Sequence, residues 1–344
     1  MSAVRRILVA VNELKARSHP AVLKAAQLAR ACDAELQLFH TLATPLYTDV
    51  YGLREQSPEG LERELRRNAL RRLEEIAEQV RRHSITVTAA AEWDFPVYEA
   101  IIRQAVRVNA DLIIVSMHSG RHTAPWLLRL TDWELVRLSP IPVLLVKNTQ
   151  AYRHPAVLAA VDPTRAYAKP FQLDKQILHL GHTISNKLRG TLHAVHAYAR
   201  MPIGSVSGAV PAKSIKSGLM TPRLFKEMQM KMDQLALRSA KARLTRALRA
   251  TRIASSRRYL IQSDPTRAIA EASRKSRSAI VVMGAISRSG YKRLLIGNTA
   301  EGILDELSCD VLVVKPPNFR SDVPRARRGA RMVMMTSNGA LGYY

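Results

Sequence analysis

At 344 residues the chain is long enough for two domains of ordinary size, and its 47% hydrophobic content supports packed cores rather than disorder. Its 53 Lys and Arg against 28 Asp and Glu leave a formal charge of +25, which draws polyanions, yet no zinc-finger, homeodomain or RNP-type pattern accompanies it and aromatics are only 5%. No apolar run reaches the roughly 18 residues of a bilayer span, and Cys32 and Cys309, without a CxxC or metal-ligand spacing, read as inert thiols.

The opening MSAVRRILVAVNE sets two arginines before an apolar run too short for a signal peptide and without a small-residue cleavage site. It reads as a first strand over residues 6–11, and the expected location is the cytoplasm. A helix follows over 18–31, then a strand over 36–40 and a Pro- and Gly-containing loop over 41–58. Residues 59–83 place Leu61, Leu65, Leu70, Leu73, Ile76 and Val80 on one face of a long charged helix. Strand three falls at 85–91, a helix opened by Pro96 at 96–108, strand four at 111–116, a helix at 131–138 and strand five at 142–146. Continuous apolar strands alternating with helices predict a parallel sheet covered on both faces.

The second half repeats the first. PAVLAAV at 155–161 answers strand one, so Asp162 falls where Asn12 does, and LHAVH at 192–196 answers LQLFH at 36–40. Asp264-Pro265 answers Phe95-Pro96, and VLVVK at 311–315 answers VLLVK at 143–147. The offset grows from 150 to 156 to 168 residues, which two insertions explain, the larger at 201–222 ahead of a basic helix over 224–249. Two copies fit a duplicated domain better than a solenoid. The expected division is 1–149, 150–318 and a basic tail, 319–344, whose SDVPRARRGAR run predicts disorder.

The stretch 284–301, GAISRSGYKRLLIGNTAE, lies between a strand over 279–283 and a helical pattern over 302–307. A glycine-containing loop at the carboxyl end of a buried strand can turn N–H groups and a helix N-terminus towards an anion. Gly284 and Gly297, without Cβ atoms, permit close approach. The tail GNTAE at 297–301 and the order Gly284, Ser287, Gly297, Asn298 resemble the nucleotide motif of the universal stress protein family, Gly-x2-Gly-x9-Gly-Ser/Thr, at two of four positions. Over residues 4–317 the repeated module is similar to that family's two-module members.

The resemblance implies two five-stranded parallel modules of the adenine-nucleotide α-hydrolase-like type, whose last strands pair antiparallel as an intramolecular pseudo-dimer; further pairing of whole chains stays open. It also implies ATP or another adenine nucleotide in the second module. Asp162 would meet the adenine end, Ala160, Val161 and Ala194 would line the base pocket, and Met283, Gly284, Ser287, Gly297, Asn298 and Thr299 would hold ribose and phosphates. Ser287 and Asn298 depart from the motif and leave open a re-purposed or empty pocket. In the first module the same columns are Ser116, Ser119, Arg129 and Leu130, with Asn12 for the aspartate, and no nucleotide is expected there.

His118 and His122 share an i, i+4 spacing but lie before Pro125 with no third ligand, so no metal site is expected. His40 and His196 read as hydrogen-bonded structural residues, His193 as a core residue, and Asp132 with Trp133 as a helix start. No Walker lysine or nucleophile-base arrangement appears, so a stress-response ligand-sensing or protective module, with small-molecule and protein partners, is the expected function. A nucleic-acid-associated protein using the basic helix and arginine tail is one alternative, and a slow ATP hydrolase another.

Overall fold

The runs VLLV and DVLVV are buried along their whole length, which requires cover on both faces of whatever sheet they join. The computed structural model describes residues 4–43, 46–48, 58–117, 125–163, 171–199, 222–285, 303–304, 306–329, 332–335 and 341–343. In the first half run β1 (Arg6–Ala10), α1 (Pro20–Cys32), β2 (Glu35–Leu42), β3 (Leu46–Thr48), α2 (Pro58–Arg81), β4 (Val87–Trp93), α3 (Val97–Arg107), β5 (Leu112–Ser116), α4 (Pro125–Leu138) and β6 (Val143–Val146). The second half holds β7 (Ala156–Ala160), α5 (Phe171–Lys187), β8 (Thr191–Tyr198), α6 (Pro222–Ala247), β9 (Arg258–Gln262), α7 (Pro265–Ser276), β10 (Ile280–Gly284) and β11 (Asp310–Val314). Two short strands, β12 (Met332–Met335) and β13 (Leu341–Tyr343), come last.

Ten strands form one sheet in the order β4-β2-β1-β5-β6-β11-β10-β7-β8-β9. Each half is a parallel five-stranded module, and β6 meets β11 antiparallel, with Leu144 opposite Leu312. This is the intramolecular pairing of last strands that the resemblance implied. Alternation along each strand divides the core between two faces. Ile7 and Val9 face the layer of α1, α2, α5 and α6, whereas Leu8 and Ala10 face that of α3, α4 and α7. Local signals set the helix ends: Asp264 caps α7 by accepting from the Arg267 N–H at 3.1 Å, with Pro265 in the first turn.

A buried polar cluster crosses the seam. Lys24 of α1, 2% exposed, donates to Asp310 Oδ2 at 2.5 Å and to Asn148 Oδ1 at 2.9 Å. Asp310, at the start of β11 and fully buried, also accepts from the Tyr152 hydroxyl at 2.5 Å and the Lys147 N–H at 2.9 Å. Its carboxylate and the burial around it push the Tyr152 phenol well above its ordinary pKa, burial being the larger cause. The Lys147 ammonium donates to the carbonyls of Leu304 and Leu307, just before β11.

Two expectations change. The helix expected at 131–138 starts at Pro125, so Asp132 lies inside it, 3% exposed, rather than at its start. Pro125 opens the helix because the first turn needs no N–H from it. The loop expected over 41–58 contains β3, which pairs with β12 and through it with β13 in a small second sheet. Described residues of the tail 319–344 also make contacts with the first module. Pro324 O accepts from Arg103 Nη1 at 3.3 Å, the Arg328 N–H donates to Asp94 Oδ1 at 3.0 Å, and the Arg328 guanidinium grips both Glu99 oxygens at 2.8 and 3.0 Å. Arg327 pairs with Glu92 at 3.5 Å. Two of the tail's arginines, Arg327 and Arg328, are thus paired with carboxylates on β4 and α3.

Candidate functional site

In the second module the chain leaves β7 towards β8 on one side, and β10 lies against its other side. The strand order reverses between β7 and β10, so their carboxyl ends lie at the switch point where open α/β sheets usually take ligands. Ala160, Val161 and Asp162 end β7, and Met283 and Gly284 end β10. The fold therefore brings five of the expected residues to one edge. Asp162 is half-buried, and its N–H donates to Asp174 Oδ1 of α5 at 3.2 Å, which fixes the turn leaving β7.

At these strand ends the residues divide by face. Ala160 and Met283 contact the core layer under α7, while Val161 belongs to the layer under α5. Ala194 sits mid-strand in β8 opposite Ala159 and is fully buried, below the strand ends. Gly284 has a packing reason to lack a side chain. A Cβ there would come within 2.6 Å of Leu173 Cδ2 and 3.1 Å of its Cγ, so any other residue would push the Leu173 side chain of α5 aside. Ser287, Gly297, Asn298 and Thr299 lie outside the described residues, as do His118, His122, Ser119 and the side chains of Arg129 and Leu130.

A histidine braces the corresponding turn in each module. His40 Nδ1 lies 2.7 Å from Val11 O, and His196 Nδ1 lies 3.3 Å from Val161 O. Both read as structural residues from sequence, and each ties β2 or β8 to the residue ahead of Asn12 or Asp162. His196 is 1% exposed, and its Nε2 has no hydrogen-bond partner among the described residues. Burial lowers its pKa, while the charge of Asp162 opposes that shift. Sequence reasoning gave His196 no part in the site; its place at the end of a strand adjoining Asp162 was the available signal. His193, expected in the core, is instead half-exposed and stacked on Tyr259 with ring centroids 6.0 Å apart.

In the first module Ser116 Oγ accepts from the Ala21 N–H at 3.3 Å, so the hydroxyl at the end of β5 is engaged by the first turn of α1. Burial raises the thiol pKa of both Cys309 and Cys32. Among the described residues no group of three or more His, Cys, Asp or Glu is arranged to hold a metal, and no helix is long and apolar enough to cross a membrane.

Two parallel five-stranded α/β modules joined antiparallel through their last strands define a tandem α/β protein. The universal stress protein family profile matches residues 3–147 and 184–315, and the chain belongs to that family. The second match starts after α5 has begun and so leaves out Asp162. A universal stress protein E from Photorhabdus laumondii is 24% identical over 246 residues, 71% of this chain and 73% of the relative. The Escherichia coli K12 protein of the same description is 25% identical over 237 residues, 67% of this chain and 69% of its own. Among solved structures, that of a universal stress protein from Archaeoglobus fulgidus superposes with TM-score 0.57 at 16% identity, covering 92% of this chain and 97% of that one. A functionally unknown protein from Pseudomonas aeruginosa PAO1 gives TM-score 0.65 at 21% identity, covering 92% and 94%.

Proposed function

We propose that this two-module universal stress protein is a ligand-binding stress-response module, that its halves divide near residue 150, and that the second half takes an adenine nucleotide at the carboxyl ends of β7 and β10. The observation that carries the reading is the adjacency of Asp162 and Gly284 at the point where strand order reverses. Asp162 supplies a carboxylate for the donor groups of a base or ribose. His196 and Asp174 hold its turn in place, which limits the ordering cost of binding. The first module, with Asn12 in the matching position and Ser116 engaged by α1, completes the seam instead. Binding, rather than turnover, is the activity expected.

The test is release of co-purifying small molecules by denaturation, followed by calorimetric titration of ATP, ADP and AMP into wild type and Asp162→Ala. Substituting Gly284 is a poor probe, because a side chain there strikes Leu173 and perturbs packing as well as any ligand. Saturable binding that Asp162→Ala weakens about tenfold or more, roughly 1.4 kcal/mol, supports the proposal. Equal binding by both proteins, or a co-purifying molecule without an adenine, overturns the nucleotide assignment.

A further inference from the structure

The opposite end of the same module carries an excess of positive charge, of which Glu306 and Glu271 offset two cations, Arg274 at 3.9 Å and Lys275 at 2.6 Å. The segments leading into β7, β8, β9 and β10 are 151–156, 185–191, 249–258 and 272–279, and together they hold eight Arg, two Lys and no Asp or Glu. The sheet draws them to one edge. The Thr191 N–H donates to Pro155 O at 3.0 Å, the Ala279 N–H to Ala156 O at 2.9 Å, and His154 Nδ1 lies 3.0 Å from Arg189 O. Gly190 permits this approach, since a Cβ there would fall 2.0 Å from Pro155 O. Neighbouring strands lie about 4.8 Å apart, so these cations form a row across the module. Arg153, Arg189, Arg252, Arg257 and Arg277 are exposed and have no carboxylate within ion-pair distance among the described residues.

The first module shows what this edge looks like without the excess. Its matching segments, 1–6, 29–35, 80–89 and 104–111, hold six Arg and three carboxylates, Asp33, Glu35 and Asp111. Those carboxylates are used: Glu35 pairs with Arg6 at 3.1 Å, and Asp111 accepts from the N–H groups of Arg5 and Arg6. The replacements are residue for residue. Asp33 at φ 57° corresponds to Arg189 at φ 53°, and Asn109 at φ 51° to Arg277 at φ 50°. These are left-handed positions, where short Asp and Asn side chains are favoured and arginine is strained. The second module keeps the left-handed backbone and places guanidinium groups on it, a strain that persists only where the surrounding structure over-determines it.

We propose that this edge of the second module binds the phosphate backbone of single-stranded nucleic acid. Eight of the ten cations are arginine, whose planar fork matches phosphate oxygens in pairs. The half-exposed His193–Tyr259 pair stands beside Arg257 at the β8–β9 edge and offers ring surface for a base to stack on. A membrane surface fits less well, because none of the exposed large apolar side chains lies on these four segments. The edge is also separate from the tail, whose Arg327 and Arg328 are occupied by Glu92 and Glu99.

The experiment is fluorescence anisotropy of the full chain with a labelled oligo-uridine of about 15 nucleotides between about 50 and 200 mM salt. The variants are Arg189→Asp with Arg277→Asn, which installs the first module's own residues, and Arg252→Glu with Arg257→Glu on the 249–258 segment. The first pair suits its backbone better than arginine, so its melting temperature stays at or above that of wild type. The expected result is a steep loss of affinity with salt in the wild type. The slope shrinks by about 0.7 for each phosphate contact removed, about 1.4 for either pair. Arg320→Ser with Arg325→Ser, in the tail, leaves binding unchanged. No binding at about 50 mM salt, binding equal to wild type in both edge variants, equal loss in the tail variant, or capture by phosphatidylserine vesicles without RNA binding would each overturn the assignment.

Discussion

Replacing Lys24 by methionine keeps the volume and apolar stem of the side chain and removes one charge from the seam between modules. Asp310 then stays fully buried with three donors: the Tyr152 hydroxyl, the Lys147 N–H and, at 3.5 Å, the Asn148 amide. Breaking a buried ion pair from one side costs about 3–5 kcal/mol, because the remaining charge is uncompensated. Three surviving hydrogen bonds put Lys24→Met near the lower figure. Asp310→Asn lies near the upper one, since an ammonium 2% exposed is left facing neutral acceptors. The double variant loses less than the sum, with a coupling of about 2 kcal/mol. All three tryptophans, Trp93, Trp126 and Trp133, are in the first module, so fluorescence reports that half while circular dichroism reports both. Urea unfolding followed by the two signals therefore measures the loss and shows whether the halves still melt together. Single variants within about 1 kcal/mol of wild type, or strictly additive losses, would refute the argument.

Two further predictions concern the parts nearest the tail. Lys315, 6% exposed, has its pKa lowered from 10.5 to about 8 by burial, with Arg137 adding repulsion. Between those values the unfolded chain binds more protons than the folded one, so stability rises with pH across that window, and below it the full cost of about 3 kcal/mol persists. Lys315→Met is expected to stabilise at pH 7 by up to that amount and to gain little above pH 10.5, and denaturant unfolding at the two pH values that shows equal gains would count against it. Arg328→Ala removes the grip on Glu99 and the tail loosens, so limited trypsin digestion cuts the arginines at 320–331 sooner; an unchanged digestion pattern would mean that β12 alone holds the segment.

Repetition made the architecture legible. VLLVK and VLVVK announced equivalent strands, and uninterrupted apolar runs announced cover on both faces. The tail's partners are remote in sequence: Asp94 and Glu99 lie 234 and 229 positions before Arg328. Composition showed the arginines but not the carboxylates awaiting them, and the MVMM run at 332–335 was the one local sign of a strand. At the site, Gly284 looked like space for phosphate, yet the nearest atom to a Cβ there belongs to Leu173. The resemblance placed Ala194 on a pocket wall, while the two-residue period of β8 sends its side chain into the core. His196 was visible as the residue ending a repeated strand motif, but its support of Asp162 depends on a parallel pairing that spacing alone does not reveal.

The β6–β11 seam has a consequence for behaviour in solution. Separate single-module chains that join through their last strands must find one another, so their assembled fraction varies with abundance and with dilution. Here both halves arrive on one polypeptide, at an effective concentration in the millimolar range for a short tether. The junction thus forms to the same extent whether the cell holds few copies or many. It also frees the two halves from identity: one can lose its glycines and the other its counter-charges without a mismatched partner ever competing for the edge.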